Sequence, residues 1–402
     1  MLKTLAKKKY PELETLYRHL HAHPELSLKE EKTSARLAEE FEKIGLRVTR
    51  RVGGTGVAAV LENGAGRTVM LRCDMDALPV TEATGLPYAS RDVGAMHACG
   101  HDVHMTCAIG AAEVLSEMKS RWKGTAVFIA QPAEERGEGA KAMIDDGLFT
   151  RFPKPDFALA LHVDSQLATG TIGYRSGPAF ANVDSVDITI FGCGGHGAYP
   201  QLAVDPIVIA SETILAFQTV VSREIKPYET AVVTVGSIHG GTKHNIIPDL
   251  VKLQLTVRSY SDEVRNHILR ALERISTQIA RAHRAPRDPE IKISESIPST
   301  YNDPALAERM AAVFKKKFGE DRVIEKDPEM GGEDFALYGR AGIPAFMFRI
   351  GSVPPEKLAA SHGPCAKSLP SLHSSCYAPD PEPTISLGIQ ALTAAVLELL
   401  GV

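Results

Sequence analysis

This 402-residue chain lacks a strong charge of either sign: 45 Lys and Arg stand against 49 Asp and Glu, a formal net charge of -4. Without a basic footprint, nucleic acid is not an expected partner. Reading along the chain, no run approaches the roughly 18 apolar residues of a bilayer span, so no membrane partner is expected. Lysines 3, 7, 8 and 9 are not followed by an apolar stretch, so the N-terminus does not read as a secretory signal. The six cysteines (73, 99, 107, 193, 365 and 376) are scattered through apolar or glycine-rich contexts rather than spaced as a disulfide framework. That usage points to reduced thiols and a cytoplasmic location. Low-complexity tracts, heptads and short repeats are also missing.

What is present is globular: 44% hydrophobic and 23% charged residues. The length exceeds one ordinary core, so two domains are expected.

The densest chemistry lies in Met96-His97-Ala98-Cys99-Gly100-His101-Asp102. Behind it, Val103 to Trp122 reads as a helix with Met105, Ile109, Ala112, Leu115 and Met118 on an apolar face. A helix N-terminus there favours a thiolate at Cys99. A thiolate two residues from an imidazole suits zinc, cobalt or manganese better than magnesium or calcium. The competing reading, a buried structural cysteine beside loop histidines, is decided by the other ligands.

Several predicted strands end in such residues. Gly56 to Glu62 and Arg67 to Arg72 flank a hairpin-like turn, Asn63 to Gly66, and the second runs into Asp74 and Asp76. Gly124 to Ala130 leads to Glu134-Glu135, neighbours that point opposite ways in extended backbone. Phe157 to Asp164 ends near His162. In a mostly parallel sheet these ends converge on one edge, where such folds place ligands. Histidines 19, 21 and 23 lie two apart on a helix, Pro11 to His23, share no face, and read as structural.

From Val183 to Glu295 the pattern becomes β-α-β-β-α-β, a ferredoxin-like order with its own core. The expected fold is therefore α/β, a mixed central sheet flanked by helices, with an inserted ferredoxin-like α+β domain. Residues 1–179 and 296–402 form the catalytic part and 180–295 the insertion. Cys99, His101, Glu135, His162 and His373 suffice for two metals about 3.5–4 Å apart if one ligand, such as the Cys99 thiolate, bridges them.

The ordered set of Cys73 to Pro79, Met96 to Asp102, Glu134-Glu135, Leu161 to Val163, Gly194 to Pro200, Asn245 to Asp249, Gly332 to Phe335 and Leu372 to Ser374 resembles one known family. It is similar to the aminoacylase, hippuricase and auxin-conjugate hydrolase branch of the co-catalytic metallopeptidases, over essentially the whole length. The resemblance implies a zinc-exopeptidase-like catalytic domain and a lid that also forms a homodimer or dimer of dimers. Cys99 then bridges two divalent ions (zinc, manganese, cobalt or nickel), with His101, Glu135, His162 and His373 as the other ligands. Glu134 acts as general base. His196 and Asn245 reach the substrate, His196 from its own or the partner subunit's lid, and Gly332 lines the site. Arg258 joins Asn245 in holding the substrate carboxylate. Relatives that are true peptidases carry a histidine ligand where this chain has Asp74, and an aspartate where it has Cys99. That difference places the chain in the acyl-amino-acid branch and gives Asp74 an orienting role.

The expected activity is metal-dependent hydrolysis of small N-acyl amino acids. A carboxypeptidase or dipeptidase acting on short peptides is the alternative. A non-catalytic metal- or ligand-binding protein is disfavoured by the intact base and ligands.

Overall fold

The computed structural model describes residues 1–361 and 368–401, so Cys365 lies outside the described residues. The chain divides into two compact units. The first comprises Met1–Ala179, Tyr301–Asp327 and Asp334–Val402, and the second Phe180–Thr300 and Pro328–Glu333.

The first unit opens with α1 (Leu2–Ala22) and α2 (Glu31–Ile44). The sequence placed the start of α1 at Pro11, but the helix begins about two and a half turns earlier and runs through that proline. Leu2, Ala6, Tyr10, Leu13, Tyr17 and Leu20 are buried in steps of three and four, and this stripe outweighs the one hydrogen bond that proline removes. Next come β1 (Arg47–Val52), β2 (Gly56–Asn63), β3 (Thr68–Asp74), α3 (His101–Glu117), β4 (Gly124–Gln131) and β5 (Phe157–Ala168). Thus α3 starts two residues before the expected Val103 and stops short of Trp122.

An eight-stranded mixed sheet forms the centre, in the order β1-β2-β4-β3-β5 and then Ala345–Val353, Ile172–Tyr174 and Val323–Glu325. The expected hairpin of β2 with β3 is absent. β4 lies between them, antiparallel to β2 and parallel to β3. β2 instead pairs with β1, a strand the sequence reading missed. The polar face of β1, with Arg47, Arg50 and Arg51 at the sheet edge, hid it.

β3 pairs in parallel with both β4 and β5, so three carboxyl ends share one edge. β5 does not stop at His162; it continues to Ala168 beside Ala345–Val353. The register pairs Arg72 with Ala160, which sets Asp74 level with His162 two residues on. A mid-strand histidine thereby sits at the edge where β3 and β4 have ended. Trp122, Tyr17, Phe41 and Phe128 are among the largest fully buried side chains of this unit.

The helix Pro381–Leu400 corrects the expectation about apolar runs. By length and composition it is apolar enough to cross a membrane, but 72% of its apolar window is buried in the protein. It is a core helix, with Ile385, Ile389, Leu392 and Val396 in the main hydrophobic cluster.

The second unit is a four-stranded antiparallel sheet, ordered Ala231–Gly240, Leu250–Ser259, Asn182–Phe191, Glu290–Ile297, with helices Pro206–Thr219 and Asp262–Ala282. Counted in chain order this is 2-3-1-4, the ferredoxin-like arrangement. Along Leu250–Ser259 the burial alternates: Val251, Leu253, Leu255 and Val257 join the core while Lys252 and Gln254 are exposed. That period of two is what a sheet with one covered face requires. Segment Pro328–Glu333 returns to this unit, where Ala181 N–H donates to the Gly331 carbonyl at 3.0 Å.

Candidate metal centre

Gly100 sets the geometry of the cysteine loop. Its φ is +79°, and a Cβ there would lie 2.6 Å from Val163 Cγ2. Only glycine satisfies both constraints, and the tight turn brings Cys99 and His101 onto the sheet edge. Cys99 Sγ lies 3.6 Å from His162 Nε2. His162 is oriented by its own strand, since Nδ1 donates to the Val163 carbonyl at 2.7 Å and leaves Nε2 facing the thiol. His101 is oriented the same way, Nδ1 donating to the Asp76 carbonyl at 2.8 Å. Its Nε2 is then 3.8 Å from both Glu134 Oε2 and Glu135 Oε1. His373, at φ +67° in a loop whose N–H bonds the Ala98 carbonyl, puts Nε2 3.6 Å from Glu135 Oε1.

The residues fit a metal cluster. His101 Nε2 and Glu135 Oε1 are buried and, among the described residues, have no hydrogen-bond partner. Leaving such atoms unpaired is costly unless they ligate something. Cys99, His101 and His162 form one set of converging donors, Cys99, Glu135 and His373 a second, and His101, Glu134 and Glu135 a third. Soft sulfur, imidazole and carboxylate together suit zinc and its first-row neighbours.

Electrostatics agree. Burial pulls the His101 imidazolium down, but Asp74, Asp76 and Glu135 outweigh it and push its pKa up to about 10. The acidic surroundings therefore demand a cation at Nε2. The expected easy ionisation of Cys99 is overturned for the metal-free protein. Burial pushes the thiol well up, and Glu135, Glu134 and Asp74 push it further. Three nearby carboxylates defeat the helix N-terminus, so the thiolate needs a bound cation.

Asp76 was legible only as a carboxylate near the site. In the structure it is a clamp, taking the backbone N–H of Glu134 on Oδ1 at 3.1 Å and that of Glu135 on Oδ2 at 3.0 Å. Ser27 adds a 2.6 Å bond. Buried Glu30 braces the same turn through Ala133 N–H at 2.9 Å, holding a non-glycine residue at φ +47°. Glu134 is thereby kept on the edge, largely buried.

Asp74 does not face the cluster as a free ligand. Its Oδ2 accepts from Arg72 Nη1 at 2.6 Å and its Oδ1 from His104 Nδ1 at 2.7 Å. His104 is itself committed at both nitrogens, since Nε2 accepts Val163 N–H at 2.9 Å. The grouping of Asp74, His101 and His104 is thus a supporting network rather than a further metal set.

His21, read as structural, is the centre of a buried ion-pair network. It is buried and bonds Asp102 at 2.7 Å through Nδ1 and Glu82 at 3.2 Å through Nε2. Burial opposes its charge, yet the two carboxylates raise its pKa to about 9. His19 and His23 stay outside this network.

The other expected residues, His196, Asn245, Arg258 and Gly332, belong to the second unit. His196 and Asn245 are neighbours there. Gly195–His196 pairs with Ile246–Ile247, and Gly197 N–H donates to the Asn245 carbonyl at 2.9 Å. His196 Nδ1 accepts Ala198 N–H at 3.0 Å, so the exposed Nε2 carries the proton and can donate it in a hydrogen bond. Arg258 spends Nε on Thr256 Oγ1 at 2.9 Å and Nη1 on the Met330 carbonyl at 3.2 Å. At Gly332 a Cβ would meet Val183 Cγ2 at 2.8 Å, so close packing selects glycine. Cys193 is exposed.

A mixed α/β sheet with this donor set and a buried carboxylate at its edge defines a metal-dependent hydrolase. Residues 70–376 match the model of peptidase family M20/M25/M40. The N-acetyl-L-cysteine deacetylase of Bacillus subtilis (strain 168) is 40% identical over 323 residues, 80% of this chain and 76% of that protein. Thermostable carboxypeptidase 1 of Saccharolobus solfataricus (strain ATCC 35092 / DSM 1617 / JCM 11322 / P2) is 37% identical over 326 residues, 80% and 81% of the two chains. Among solved structures, the Bacillus subtilis YXEP protein, described as a dinuclear metal binding peptidase from the M20 family, matches with a TM-score of 0.81. It is 30% identical and covers 98% of this chain and 99% of its own. The chain belongs to peptidase family M20/M25/M40 and is a metal-dependent amidohydrolase acting on a small-molecule substrate.

Proposed function

We propose that the enzyme hydrolyses the amide bond of N-acyl amino acids, releasing a carboxylic acid and a free amino acid. The observation that carries this reading is Glu134, a buried carboxylate 3.8 Å from the unpaired Nε2 of His101 and clamped by Asp76. Cys99, His101, Glu135, His162 and His373 would hold two divalent ions. When bound, such ions polarise a carbonyl and make water a nucleophile near neutral pH.

Glu134 takes the proton of the attacking water as its oxygen adds to the amide carbon, then delivers that proton to the leaving nitrogen. The carbon–nitrogen bond breaks, and the amine departs neutral. His196 donates through Nε2 to the carbonyl oxygen as charge develops there. Asn245 and Arg258 hold the carboxylate of the amino acid, and Gly332 lines the approach. The second unit serves as lid and as the contact of a homodimer or dimer of dimers, in line with the resemblance of its motifs. A cytoplasmic location accords with free thiols at Cys73, Cys99, Cys107, Cys193 and Cys376.

Carboxypeptidase action is the second reading, favoured by the Saccharolobus relative. The deciding experiment follows amino acid release from hippurate, N-acetyl amino acids and dipeptides, with chelator and with metal restored. Release confined to acyl amino acids and abolished by chelator supports the proposal. Preferential dipeptide cleavage overturns it in favour of the carboxypeptidase.

A further inference from the structure

Among the described residues, the Val163 N–H beside the cluster has no strand partner. β3 pairs with β5 only as far as Arg72 with Ala160, and β5 runs on past that point. Val163 N–H therefore needs an acceptor from elsewhere, because a buried, unpaired amide is costly. His104 provides it, Nε2 accepting at 2.9 Å from the first turn of α3. Because that nitrogen accepts, the ring proton sits on Nδ1, where it bonds Asp74 Oδ1 at 2.7 Å. Asp74 is fixed in turn by the buried Arg72 guanidinium at 2.6 Å. The Val163 carbonyl in turn receives His162 Nδ1 at 2.7 Å. The two imidazoles also pack edge to face, with centroids 4.6 Å apart.

We propose that His104 is a positioning residue: together with Asp74 it pins residue Val163 and thereby sets the tautomer and direction of the His162 ring. The inference rests on His162 being a metal ligand. Held at Nδ1, His162 presents a lone pair at Nε2 toward Cys99. Ligand-orienting bonds of this kind are worth about 10–100-fold in metal affinity. A direct bond to a ligating histidine is the simple version of this arrangement. Here the hold passes through a main-chain residue, because β3 ends before it can supply the partner. Asp74 thus acts through His104 and not as a donor to metal.

The test uses His104→Asn and His104→Gln in the full chain. Asn keeps a donor for Asp74 but is too short for Val163; Gln reaches Val163 with an acceptor but loses Asp74. In the metal-free protein, hydrogen–deuterium exchange of peptides spanning Val163 should quicken in His104→Asn and less so in His104→Gln. Nitrogen-15 imidazole spectra of the metal-free wild type should show His104 and His162 both protonated at Nδ1. With Co2+ as probe, His104→Asn should bind about 10–100-fold more weakly with an altered thiolate-to-cobalt band, and His104→Gln should recover part of the loss. Wild-type protein with His104 protonated at Nε2 overturns the inference without any variant. So does a folded His104→Asn with unchanged exchange, tautomer and Co2+ affinity. Failure of the wild type itself to bind Co2+ overturns the metal centre, while the exchange and tautomer results still judge the role of His104.

Discussion

Asp76 and Glu135 lie 59 residues apart, and the backbone N–H of Glu135 donates to Asp76 Oδ2 at 3.0 Å. The opposite oxygen takes Glu134 N–H, so one buried carboxylate holds both glutamates by their main chain. Asp76→Ala would leave two amides and the Ser27 hydroxyl unpaired. Metal affinity should drop about 10–100-fold with the fold retained. Titration with Zn2+ checks this, and unchanged affinity would remove Asp76 from the clamp.

Glu134→Gln preserves size and the main-chain bonds but cannot take a proton. Turnover should fall about 10²–10⁴-fold while bound metal and Tm stay near wild type. Near-normal kcat would exclude Glu134 as the base.

Chelator treatment should abolish activity, and added Zn2+ or Mn2+ should restore it. Cys99→Ala removes the atom shared by two of the donor sets and should lower metal content below two per chain. Elemental analysis after dialysis reads the result, and a variant retaining both ions would refute the bridging role.

Stability should depend on pH through His21. Its pKa is raised to about 9, against about 6.5 in an unfolded chain, so its ion pairs stabilise fully below about pH 6.5. That contribution fades as pH rises through about 9. Its partner Glu82 is pushed down to about 2: burial opposes this, but His21, Ser90 and Thr84 prevail. The acidic side is therefore lost only as pH falls from about 4.3 toward 2. His21→Gln should cost about 3–5 kcal/mol near pH 6, with a smaller gap from wild type at pH 10. Urea midpoints across that range test it; a gap constant from pH 6 to 10 would show that the pairing is not ionic.

Much of this centre was legible because the relevant signals are local. An apolar run closing on Asp74, Glu134 or His162 marks a strand edge, and Cys99-Gly100-His101 is a turn with two donors. The ferredoxin-like order was readable from period alone, as in Val251, Leu253, Leu255 and Val257. Errors arose where local pattern and distant pairing disagreed. The turn at Asn63 to Gly66 looked like a hairpin, yet β4, some sixty residues on, takes the place between β2 and β3. Pro11 looked like a helix start, but burial of Leu2 and Ala6 extends α1 through it.

The amino-acid sequence by itself determined which donors exist and which strand ends carry them, since residue type and short-range periodicity need no partner. Tertiary structure alone decided what those donors do. Asp76 became a clamp, His21 an ion-pair centre and His104 the support of Val163 through hydrogen bonds spanning 58 to 81 residues of sequence. Such bonds depend on where β3 stops and β5 continues, a register set by packing of the whole sheet and written in no single segment.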